Sequence, residues 1–296
     1  MNERVERVTH RGLDERVVVL RAGDEVDAVF VRTERFCVLV DTLSTPDLCR
    51  QALDLVAAER AGRPLLVVNS HMDWDHFWGN AALPPGTVII AQTAALDRFH
   101  QPETAATLRD MAAREARFAG IELVAPTIGF AGAMRLEGGD LTLHLLHTPG
   151  HTPDHLAVWI PEIRTCLGVD AVEDPIPEVW STALGDLRAL CVSLQRIADL
   201  KAAILLPAHG GTSDPGLAAR NLAYFDALAA RVAGAGIEDS NDESDLAVRP
   251  GLRFEDLVPA CRAMTAEMRT FYRGVHARNL AATVAAHRAA GGRPSV

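Results

Sequence analysis

The stretch LLVVNSHMDWDHFWGN, residues 65–80, decides how this chain is read. Its start, LLVVN (65–69), is apolar and rich in Val and Leu, as a buried strand is. The strand runs straight into a polar loop that carries His71, Asp73, Asp75 and His76. Imidazole and carboxylate groups gathered at a strand end suit a transition-metal ion, because the strand fixes what the loop presents. Trp74, Phe77 and Trp78 stand among them in a chain with only 5% aromatic residues. Trp74 and Trp78 are expected to wall a pocket beside the metal and touch substrate, and Phe77 to pack the loop against the sandwich.

The same arrangement recurs three times further on. LTLHLLH (141–147) leads through Thr148-Pro149-Gly150 to His151; RTCLGVD (164–170) ends on Asp170; AAILLP (202–207) leads to His209. Ligands placed at several strand ends can converge on one rim of a pair of sheets. Upstream, VVVLRAG (17–23), DAVFVRT (27–33) and FCVLVDT (36–42) read as strands, and TVIIA (87–91) and HLAVWIP (155–161) as two more. Thr45-Pro46 reads as the cap and first residue of a helix that runs to about residue 61. Further helices are expected up to about residue 119, over 186–200 and over 215–233. Two groups of strands accompanied by helices suit two packed sheets with helices outside.

His71-Met72-Asp73-Trp74-Asp75-His76 resembles the HxHxDH motif of the metallo-β-lactamase superfamily. The segment 147–152, HTPGHT, resembles that of glyoxalase II and its relatives, and the Asp170 and His209 loops match the family's remaining ligand positions in order. The resemblance implies an α/β fold, an αββα four-layer sandwich, with a helical C-terminal segment added. It also implies two divalent metal ions. His71 and His151 would hold the first, Asp75, His76 and His209 the second, and Asp170 would bridge them. A hydroxide between the metals, oriented by Asp75 as the catalytic residue, would attack an ester, thioester, lactone or phosphoester of a small molecule.

One position departs from the family, because Asp73 stands where the middle histidine belongs. Zinc is the metal the set suggests. Asp73 as a further ligand would add a third carboxylate and bring in iron or manganese, since harder oxygen ligands suit those ions. Two alternatives to hydrolysis accompany that reading: a non-haem iron enzyme of oxygen or redox chemistry on the same fold, and a metal-binding member without turnover.

A net charge of −10 argues against nucleic acid as partner, which would call for clustered Lys and Arg. The five cysteines are scattered and odd in number, as in a reducing cytoplasm. The charged N-terminus does not read as a signal peptide, and no apolar run approaches the ~20 residues of a membrane span. The expectation is a soluble cytoplasmic enzyme. Residues 1–233 read as the catalytic domain, the acidic, Gly-bearing 234–250 as a linker or loop, and 251–296 as a helical extension. Within that extension His276 and Asn279 lie one helical turn apart and are candidates for substrate contact, or for hydrogen bonding inside the helical pack.

Overall fold

β-Branched and Leu residues in alternation favour pleated strands with one face turned to a core. The computed structural model of the protein describes residues 4–236 and 243–291. One sheet holds β1 (Val5–Val8), β2 (Val17–Ala22), β3 (Val26–Arg32), β4 (Cys37–Val40), β5 (Leu65–Val68), β6 (Val88–Gln92) and β7 (Ile128–Phe130), in that order. It is antiparallel from β1 to β4 and parallel from β4 to β7. The other holds β8 (Ala133–Glu137), β9 (Thr142–His147), β10 (Leu156–Ile160), β11 (Thr165–Leu167) and β12 (Ile204–Leu206), in the order β12-β11-β10-β9-β8. Only its β11–β12 pair is parallel.

The described residues also form α1 (Pro46–Leu55), α2 (Ala57–Arg60), α3 (Trp74–Phe77), α4 (Thr93–Phe99), α5 (Pro102–Arg114), α6 (Leu184–Asp199), α7 (Leu217–Gly234), α8 (Glu243–Val248), α9 (Phe254–Leu257) and α10 (Ala266–Ala289). None of these helices is long and apolar enough to cross a membrane. The helix expected over 45–61 is divided at Val56, whose φ of −106° and ψ of 10° leave the helical range. Of the 234–250 stretch, residues 237–242 lie outside the described residues, and Glu243–Val248 is helical where a loop was expected.

The chain divides into two units. The first comprises Met1–His147, Asp154–Val169 and Ala202–Ser213 and contains both sheets. Both contribute to one buried core: Val19, Phe30, Val38 and Val67 from one, Leu143, Leu145, Leu156 and Val158 from the other. Burying each such side chain stabilises the fold by about 1.5–3 kcal/mol. Within the first sheet Val40 pairs with Val68, so β4 and β5 end level, while β6 runs on to Gln92 past Ile90, the partner of Val68. That shared edge is where β5 hands over to the His71 loop. The second unit comprises Thr148–Pro153, Asp170–Lys201 and Asp214–Val296, with α6, α7 and α10 packed on one another.

Candidate metal centre

β4 is followed by Asp41, a non-glycine residue held at a φ of 64°. That turn aims its carboxylate back at the end of β5. Oδ1 accepts the Ser70 backbone N–H at 2.7 Å, and Oδ2 accepts both the Ser70 hydroxyl at 2.7 Å and His76 Nδ1 at 2.8 Å. With its proton given to Asp41, Ser70 Oγ accepts from His71 Nδ1, 2.9 Å away. Both rings are therefore Nδ1–H tautomers, and each keeps an Nε2 lone pair for another partner. In the second unit His151 reaches the same state, its Nδ1 donating to the Glu178 carbonyl at 3.1 Å. Gly150 before it has a φ of 130° and comes so near α6 that a Cβ there would lie 2.2 Å from Leu190 N. The TPGH glycine thus serves close approach as well as the turn.

The rest of the loop is fastened from behind. The His76 carbonyl accepts the Thr42 N–H at 2.8 Å. Asn69 and Asn80 exchange side-chain hydrogen bonds of 3.1 and 2.9 Å. Gly79 lies against Thr42, where a Cβ would sit 1.8 Å from the carbonyl oxygen.

Asp75, His76 and His209 each offer a ligand atom, all within 4.8 Å of one another. Asp75 Oδ2 is 3.4 Å from His209 Nε2 and 3.7 Å from His76 Nε2. Asp73 Oδ2 is 3.6 Å from His71 Nε2, and in the second unit Asp170 Oδ2 is 3.5 Å from His151 Nε2. Two atoms each about 2.1 Å from a tetrahedral ion are about 3.4 Å apart, so these spacings are those of neighbouring ligands on a small divalent cation. They are longer than direct hydrogen bonds. The donor set fits a metal ion.

Of the aromatic residues in the loop, Trp78 is 1% exposed and packs with Phe77, Met72 and Phe118. It is buried in that cluster and presents no exposed face. Trp74 is half-buried, edge-on to Phe118, with the Arg117 guanidinium over its ring. His276 and Asn279 are buried in the second unit. His276 bonds to the Tyr224 hydroxyl and the Leu252 carbonyl, and Asn279 to Val179 N and the Pro177 carbonyl. Their polar atoms join the helical pack, so substrate contact is not assigned to them. Three residues escaped the sequence reading: Asp41, Arg98 and Asp154. Asp41 gave a signal, since FCVLVDT also ends a strand on a carboxylate.

A family profile described as the metallo-beta-lactamase superfamily matches residues 21–209. The chain is 38% identical over 73 residues to a beta-lactamase-like protein 2 homolog of Caenorhabditis elegans, covering 25% of this chain and 23% of that protein. It is 27% identical over 191 residues to the acyl-coenzyme A thioesterase MBLAC2 of Gallus gallus, covering 60% of this chain and 69% of that one. Among solved structures, a beta-lactamase domain protein from Burkholderia ambifaria superimposes with a TM-score of 0.68 at 18% identity, over 97% of this chain and 88% of its own. Sheets, loop order and profile agree: the chain belongs to the metallo-beta-lactamase superfamily.

Proposed function

We propose that the chain is a metal-dependent hydrolase acting on an ester, thioester, lactone or phosphoester of a small molecule. In this reading Asp75, His76 and His209 hold one divalent ion, a grouping of a kind that could bind metal, while the order of the motifs gives His71 and His151 a second, with Asp170 shared by the two ions. The observation that carries it is the state of the imidazoles. His71, His76 and His151 each commit Nδ1 to an acceptor and turn Nε2 toward a carboxylate at 3.5–3.7 Å. With four imidazoles in the set, zinc is the ion expected. Such ions supply Lewis acidity and lower the pKa of water to about 7.

The chain's own groups do the rest. Asp75 orients the attacking water and holds its proton at the carboxylate. Asp41 keeps His71 and His76 in the tautomer whose Nε2 carries the lone pair. The buried Phe77, Trp78 and Phe118 side chains exclude solvent behind the loop. The thioesterase relative makes an acyl thioester the first probe. Five unpaired cysteines suit a cytoplasmic place of work.

The test is turnover across ester, thioester, lactone and phosphodiester substrates by wild type, His76→Ala and Asp170→Ala. Turnover of one class by wild type, abolished in both variants with the fold intact, is expected. Undiminished turnover in either variant contradicts the reading.

A further inference from the structure

Arg98, on α4, grips the His71 loop through ion pairs to two carboxylates. Its Nη2 donates to Asp73 Oδ1 at 2.8 Å and its Nη1 to Asp154 Oδ1 at 2.5 Å. Asp154 is fully buried, and its second oxygen accepts the Met72 N–H at 2.8 Å. The guanidinium therefore spans the loop residue that departs from the family pattern and the carboxylate that anchors its neighbour. Arginine suits this task because its planar fork meets two acceptors at fixed angles. Burial works against the Arg98 charge, and the pull of Asp154 and Asp73 outweighs it, so its pKa is raised.

An aspartate is shorter than the histidine it replaces, and a free one at position 73 would turn to water. Here one oxygen is tied down, which fixes where the other points. Asp73 Oδ2 lies 3.6 Å from His71 Nε2, the spacing of two ligands on one ion. We propose that Arg98 is a positioning residue that holds Asp73 by Oδ1 and so presents Oδ2, together with His71 Nε2, to the same divalent ion. The inference rests on the metal-dependent reading above. It gives the Asp73 variant of the motif a structural counterpart: a carboxylate can stand in for the imidazole because a second side chain aims it and offsets its charge. The site is then less anionic than three carboxylates alone suggest, which weakens the case for iron or manganese over zinc.

A double-mutant cycle on zinc affinity separates this role from a merely structural one. Arg98→Met is made in the natural chain and in Asp73→His, and both positions are titrated by chelator competition, with circular dichroism as the check on folding. Any loss transmitted through Asp154 occurs in both backgrounds and cancels. Zinc affinity at one position should fall about tenfold or more in the natural background. In the Asp73→His background it should fall no more than about twofold, since an imidazole needs no guanidinium to aim it. The same cycle with Arg98→Lys, which keeps the charge but not the two-pronged grip, should show a loss of the same sign and protects the test if Arg98→Met does not fold. Equal losses in both backgrounds overturn the inference and leave the hydrolase reading standing. A natural chain that binds no zinc overturns both.

Discussion

Asp41 makes three hydrogen bonds with two oxygens, and two of the candidate ligands depend on it, His76 directly and His71 through Ser70. Removing such a partner of a metal-ligating histidine usually costs about 10–100-fold in metal affinity. Asp41→Asn should reach that range, because the amide cannot accept at both of its ends as the carboxylate does. Zinc competition measures it, and an affinity within about twofold of wild type would show that the imidazoles are oriented by something else. At this scale the ligand types were legible in the sequence: histidines and aspartates placed just after apolar runs announce themselves by chemistry. Their supports were not. Arg98 and Asp154 are 25 and 81 residues from Asp73 in the chain and carry no local pattern, since a buried ion pair is decided by tertiary proximity. The fate of Trp78 was equally hidden, because an aromatic side chain beside a ligand can face either a pocket or the core.

The strands expected from Val-rich runs are present because those runs are buried on the shared core. The strands that went unread, β1, β7 and β8, are all at sheet edges. Edge strands need not alternate strongly: β8 reads AMRLE with three of its five residues exposed, and β7 has only three residues. Helix starts were more legible, since a cap is a local event. Thr45 Oγ1 accepts the Leu48 N–H at 3.2 Å, so Thr45→Ala should lower stability by about 1 kcal/mol in denaturant unfolding. The two glycines that allow close approach carry a larger penalty. Gly79→Ala and Gly150→Ala force a methyl group against backbone, at Thr42 and Leu190 respectively, and should each destabilise by about 3 kcal/mol or more. A loss under about 1 kcal/mol in either would mean that the loop can give way there.

Across the whole molecule, the matched region of residues 21–209 carries the proposed ligands. What lies beyond it contributes buried polar groups such as His276. Burial lowers the His276 pKa below its ordinary value. The unfolded chain therefore binds the proton first as pH falls. The neutral ring's contribution is complete above about pH 6.5 and declines as pH drops toward the lower folded value. His276→Gln, which offers both a donor and an acceptor, should flatten the dependence of stability on pH below about 6.5. An unchanged slope would assign that dependence to other groups, His10 among them, whose pKa burial also lowers.

The family and the chemistry of the ligands were readable from the sequence because four motifs occur in order. Substrate choice was not, since it depends on how loops and helices shape a cleft. The central claim, that metal ions held by these histidines and aspartates drive hydrolysis, is tested most directly by stripping the chain with a chelator and titrating zinc back while following cleavage of a short acyl thioester. The account predicts negligible turnover without metal and recovery that is complete at two zinc ions per chain. Turnover that persists unchanged in the stripped chain would contradict it.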